Sequence, residues 1–214
     1  MDKLRLRTIV QKLMNVDDAL DETEYMELEQ FESDLTREII HEWTESVNVE
    51  YAANHILLSA GLSGSIRTHG SWISDCKQYL LDSFRIMEIN NPIDLPKLSD
   101  DVDPLKVKPM LHDIEKADIT VPLPSISELK QLILENLNSH TGIINRIIYR
   151  FECGLVLNAE YLLAAITATG VNELKTSYTD GKFRNPVFFK SEFATVMVLP
   201  MIPDKKYEKC IEIW

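Results

Sequence analysis

Residues 147–157 read Ile147-Ile148-Tyr149-Arg150-Phe151-Glu152-Cys153-Gly154-Leu155-Val156-Leu157, and the fold class turns on them. Every second position from Ile147 is apolar (Ile147, Tyr149, Phe151, Cys153, Leu155, Leu157), while Arg146, Arg150 and Glu152 alternate on the other side. That period of two is the pattern of a half-buried strand. A helix through Ile143, Ile147 and Phe151 is the alternative reading of the same residues.

Working outward, the segment is flanked by helices. Upstream, Ser125-Ile126-Ser127-Glu128 is a capping-box pattern directly before the amphipathic run Leu129, Leu132, Ile133, Leu137, which predicts a helix from Ser125. Downstream, Asn158 to Thr169 suits a helix capped by Asn158 and stopped at Gly170. Asp180-Gly181 is a pair preferred in type I′ hairpin turns, and Val187 to Phe189, Phe193 to Leu199 and Tyr207 to Trp214 are β-rich. The C-terminal part is therefore expected to be α+β with a small antiparallel sheet.

The N-terminal part reads as helical. An amphipathic helix is predicted over about residues 3 to 15, with Leu4, Ile9, Leu13 and Met14 as buried candidates. Val49 to Ala60 forms another that stops at Gly61, and Gly61-Leu62-Ser63-Gly64-Ser65 is a break. From Ser71, the residues Trp72, Cys76, Tyr79, Leu80, Phe84 and Met87 recur at helical spacing until Asn90-Asn91-Pro92, giving about four helices in all. Residues 90–124 carry five prolines and the acidic run around Asp100, so they form a connector. Leu95, Leu98, Leu105, Val107, Met110 and Leu111 should hold it against the body. The expected organisation is a helical region 1–89, a connector 90–124 and an α+β region 125–214, or all three as one domain.

Composition excludes several classes. At 214 residues with 45% hydrophobic and 26% charged residues, the chain can bury a real core. Gly 7, Pro 9 and Cys 3 rule out collagen-like, mucin-like and disulfide-scaffold sequences. No apolar run approaches the roughly 20 residues of a bilayer-crossing helix, and the charged start Met1-Asp2-Lys3-Leu4-Arg5 is no secretory signal. Cys76, Cys153 and Cys210 are an odd number at unrelated spacings, read as buried free thiols in a reducing compartment. The expected location is the cytoplasm.

The charge is localised. The formal net charge is −12, and residues 17–50 carry thirteen acids against the single base Arg37, so this stretch holds the whole surplus. Lys3, Arg5, Arg7 and Lys12 make the segment just upstream basic, which offers an intramolecular contact. Within the acidic stretch Leu28, Phe31, Leu35, Ile39 and Trp43 recur at intervals of three and four, the buried stripe of a helix that Asp21 or Thr23 could cap. The acids take the other faces. Solvation alone would account for such a face. The functional reading is a docking surface, formed by Glu24, Glu27, Glu32, Asp34, Glu38, Glu42 and Glu45, for a basic protein surface. Direct nucleic-acid binding through this face is disfavoured, since phosphates need Lys and Arg.

Enzyme motifs are weak. Glu38-Ile39-Ile40-His41 has the Glu-x-x-His spacing of di-iron bundles without its second copy; Glu42, Glu45 and His55 are the remaining candidate ligands. Glu24-Tyr25-Met26-Glu27 and Glu29-Gln30-Phe31-Glu32 lack the following Glu-x-x-Asp that helical nucleotide pyrophosphatases carry, so no family is assigned. Ser74-Asp75-Cys76-Lys77 and Ser127-Glu128-Leu129-Lys130 match Ser-x-x-Lys with no accompanying motif. His69 near Arg67 and Trp72 is the one local cluster that could line a pocket. Arg146, Arg150, Lys175, Lys182, Arg184 and Lys190 interleave with Tyr149, Phe151, Tyr178, Phe183 and Phe188, a pattern read as core packing. No cofactor or metal is called for. The expectation is a non-enzymatic adaptor or inhibitor. The alternatives are a self-assembling protein, as a homo-oligomer, or a metal-dependent enzyme with a site near Glu38 and His41.

Overall fold

Asn158 closes one strand and opens the helix on which the core is built. In a computed structural model, which describes residues 3–14, 20–43, 46–60, 70–137, 147–178 and 185–201, its side chain accepts a hydrogen bond from the Tyr161 N–H at 3.1 Å. The helix, α6 (Ala159–Thr169), buries nearly every side chain. It ends at Gly170, whose φ of +68° is left-handed and where a Cβ would collide with Val47.

The architecture is α+β. Three helices, α1 (Lys3–Met14), α2 (Glu22–Glu42) and α3 (Val49–Ala60), precede three strands, β1 (Trp72–Ser74), β2 (Lys77–Leu81) and β3 (Arg85–Ile89). The connector carries α4 (Lys108–His112), a 3-10 turn (Asp113–Lys116) and β4 (Ile119–Pro122); α5 (Ile126–Asn136) follows. Then come β5 (Ile148–Arg150), β6 (Val156–Asn158), α6, β7 (Glu173–Thr176), β8 (Val187–Lys190) and β9 (Ala194–Val198). Seven strands form one antiparallel sheet in the order β1-β2-β3-β9-β8-β7-β4, and β5 pairs with β6 apart from it. The pairing of β3 with β9, Met87 opposite Val196, spans the connector.

Cap chemistry explains the helix starts. The Ser125 hydroxyl accepts from Glu128 N–H and the Glu128 carboxylate accepts from Ser125 N–H, as the sequence predicts. Asp21 caps α2 in the same way, accepting from the N–H groups of Thr23 and Glu24, while Glu24 accepts from Asp21 N–H. At the other end of α2, the Lys130 ammonium donates to the carbonyls of Trp43 and His41, which places a cation at the negative pole of the helix dipole.

The helix expected from Ser71 is instead β1 to β3. Leu80, Met87 and Ile89 point into the main core under the helices, while Tyr79, Leu81 and Ile86 join a second cluster with Val107, Leu111, Phe188 and Met197 on the opposite face. A strand buried on both faces loses its alternation and imitates a helix over a short window. Asp75 and Cys76 turn β1 into β2 with φ of +52° and +61°, as a type I′ turn requires at both central positions.

Residues 147–157 do pair as strand, but as the hairpin β5–β6, bent at Phe151 to Leu155 around Gly154, whose φ is +88°. The connector lies on the body through Leu95, Leu98, Val107 and Leu111, whereas Leu105 and Met110 are exposed. Of the α1 candidates Leu4 is buried, but Ile9 and Leu13 are not. Cys76 and Cys153 are exposed rather than buried, because both sit in tight turns. The Asp180-Gly181 turn, the Tyr207–Trp214 run, Cys210, the Gly61–Ser65 break, Arg67 and His69 lie outside the described residues. Among the described residues no helix is long and apolar enough to cross a membrane.

Candidate functional site

Helix α2 divides the predicted docking residues between two faces. Glu24, Glu27, Asp34, Glu38 and Glu42 follow one another at helical intervals on the outward side, where all five are exposed. Glu32 points inward, and Glu45 lies outside the described residues. Phe31, expected in the buried stripe, is 45% exposed and sits in the acidic row, one turn from Glu27 and from Asp34. The buried stripe is rotated to Leu35, Thr36, Ile39, Ile40 and Trp43, with Leu28 half-buried.

Part of the acidic row is already neutralised. Lys3 of α1 reaches Glu42 at 2.6 Å and Glu38 at 2.9 Å. The two carboxylates raise its pKa above the ordinary lysine value. This occupies the acids that a metal site near His41 would need, and His41 itself is exposed. Among the described residues no three His, Cys, Asp or Glu side chains are grouped to hold a metal ion. Glu27 and Asp34 have no basic partner among the described residues; Asp34 only accepts from Gln30 at 3.0 Å.

Neither Ser-x-x-Lys pair is assembled as a nucleophile and base. Ser74 and Lys77 face each other across the β1–β2 turn, but Lys77 binds Glu88 at 2.5 Å and the Ser74 hydroxyl accepts from Lys108. Lys130 is held by the carbonyls at the end of α2. Of the interleaved aromatics, Phe151 and Phe188 are core residues and Tyr178 is exposed.

Lys3 and Arg7 make the expected contact between the basic N-terminal segment and the acidic helix, but the buried chain of charges that continues from Arg7 beneath α1 has no signal in the sequence. Arg7 donates from Nε to Glu32 at 2.7 Å and, in a two-pronged contact, to Glu160 at 2.8 and 3.2 Å. Burial would lower the Arg7 pKa, but Glu160 and then Glu32 outweigh it and raise it. Gln11 and Thr36 also donate to Glu32. Beyond Glu160 lies His55, then Arg85, whose Nη1 is 3.1 Å from His55 Nδ1. Arg85 grips Asp82 through Nε at 2.9 Å and Nη2 at 2.6 Å, and its guanidinium carbon lies 4.1 Å from the centre of the Tyr161 ring.

No protein-family model and no curated protein matches the chain.

The His55 tautomer follows from its neighbours. Arg85 can only donate, so Nδ1 must accept and the proton sits on Nε2, toward Glu160 at 3.8 Å. Protonating Nδ1 would set two donors against each other. Burial first, then the charges of Arg85 and Arg7, hold the His55 pKa well below its usual value. The unfolded chain therefore takes up a proton near pH 6.5 that the folded chain refuses. Stability is retained above that pH and lost as the pH falls below it, at up to about 1.4 kcal/mol per unit. In urea unfolding, the protein should lose about 1.5 kcal/mol more than His55→Gln between pH 6.5 and 5. Equal slopes would show that the histidine is not the cause.

Proposed function

We propose that the protein is a non-enzymatic adaptor or inhibitor that docks a basic protein surface through the outward face of α2. The observation that carries this reading is Phe31. An exposed aromatic ring at the centre of a row of carboxylates, flanked by Glu27 and Asp34 with no basic partner among the described residues, suits an interface with an apolar middle and a charged margin. The complementary partner presents lysines or arginines around an apolar patch.

The acids then serve mainly to steer and align the partner, so complex formation weakens steeply as salt shortens the reach of the charges. Reversing Glu27 and Asp34 together to lysine should lower affinity roughly 100-fold, since like charges then face each other. The far-UV circular dichroism should not change, because neither side chain makes an ion pair among the described residues. A photo-crosslinking residue placed at position 31 captures the partner in cells, and the captured complex is then titrated with salt. Salt-insensitive binding, or full affinity in the reversed variant, removes the proposal. Glu32 is excluded from such a test because its reversal would disrupt the Arg7 contact.

A further inference from the structure

Helix α1 presents a face that complements the one on α2. Arg5, Ile9 and Lys12 stand at intervals of four and three with Leu13 one turn beyond Ile9, and all four are exposed, Ile9 at 41% and Leu13 at 48%. Arg5 and Lys12 form no ion pair among the described residues, unlike Lys3 and Arg7, which turn toward α2 and the core. The contacts of Lys3 with Glu38 and Glu42, and of Arg7 and Gln11 with Glu32, run the two helices antiparallel.

The seam between the two helices can be followed in register. On α1 it passes through Lys3, Leu6, Val10 and Leu13; on α2 it passes through Glu42, Glu38, Leu35, Phe31 and Leu28, the three-and-four spacing of packed helix pairs. Val10 and Leu35 are buried yet belong to neither of the two core clusters, so they form the floor of a separate seam. Leu13 and Phe31 stand exposed above it. The hairpin thus has an apolar middle, a basic margin on α1 and an acidic margin on α2.

We infer that the α1–α2 hairpin is a self-association surface, occupied by a second copy of this chain related by a two-fold axis. In that arrangement α1 of one copy lies over α2 of the other. Arg5 and Lys12 then meet Glu27 and Asp34, and Ile9 and Leu13 cover Phe31 of the partner. A two-fold contact requires a patch that complements itself, and a hairpin with a basic and an acidic margin meets that requirement twice. The result is a four-helix packing across the interface. This inference rests on the docking role proposed for α2 and names its occupant.

Sedimentation across a concentration series at low and high salt tests it. The chain should dimerise, with a dissociation constant that rises with salt. Arg5→Glu with Lys12→Glu should raise that constant at least tenfold, and so should Glu27→Lys with Asp34→Lys in a separate chain. Mixing the two variants should restore a dimer between them, which a merely unfolded variant cannot do. A chain that stays monomeric throughout overturns the inference, as do a dimer indifferent to both variants and a mixture that fails to pair. If a monomeric chain still cross-links another protein from position 31, the docking role stands and only self-association falls. If it cross-links none, both fall.

Discussion

Replacing Arg85 with methionine should lower the thermal unfolding midpoint by roughly 6 to 20 °C. The Arg85 side chain is wholly buried and Asp82 nearly so, with 3% of its side chain exposed. Among the described residues, removing the cation leaves the Asp82 carboxylate with only the backbone N–H groups of Phe84 and Arg85, leaves His55 Nδ1 without its donor, and strips the charge from over Tyr161. Breaking one side of a buried ion pair costs about 3–5 kcal/mol, and each kcal/mol moves the midpoint of a chain of this size by roughly 2–4 °C. Most of that cost is the stranded charge. Asp82→Asn added to Arg85→Met should therefore recover stability, so that the double variant is more stable than the single one. A single variant within about 1 kcal/mol of the parent would mean that Asp82 finds water or another donor, contrary to its burial.

Arg7→Ala should be the second costly change, again about 3–5 kcal/mol at the upper end and less to the extent that solvent reaches the site. Arg7 is 13% exposed, Glu32 19% and Glu160 18%, so two carboxylates lose their shared cation at once in a setting that water only partly screens. The damage should be uneven. Leu4 joins α1 to the main core, Val10 seals its seam with α2, and Arg7 ties it to α2 and α6 together. Amide exchange should accelerate in α1 well before it does in β9, whose five residues are all buried. Arg7→Lys keeps the charge but cannot hold Glu160 by two bonds while also reaching Glu32, so it should fall between the parent and Arg7→Ala. Uniform exchange along the chain in Arg7→Ala would argue that α1 is no separate unit.

Several features were legible from residues close together in the chain. The caps at Ser125 and Asn158, the stop at Gly170 and the acidic helix α2 all appear as predicted, because each depends on contacts within about one helical turn. Strand character after Ile147 was readable too, although the hairpin bend at Gly154 divides it. Residues 71–89 misled for a definite reason. Their apolar positions serve two cores, one on each face of the sheet, so no alternation survives to mark a strand.

The candidate surface was readable only in part. Periodicity puts the acids on the faces away from the apolar stripe, with Glu24, Glu27, Glu32, Asp34, Glu38, Glu42 and Glu45 as the docking set, and of these Glu24, Glu27, Asp34, Glu38 and Glu42 are exposed in the fold. It could not tell that Glu32 turns inward or that Phe31 turns outward, because an acidic helix has no unambiguous wet side until something packs on it. Arg7 from α1 and Glu160 from α6, 153 residues apart in the chain, select that side by meeting beneath it. The sequence alone determined the α+β class, the helix ends and the location of the surplus charge, since these follow from composition and from interactions among near neighbours. Tertiary structure decided which carboxylates remain available, which strands replace the expected helix and where the buried chain from Asp82 to Glu32 runs. Burial and ion pairing over such separations depend on what the rest of the chain brings alongside, and no local pattern encodes that.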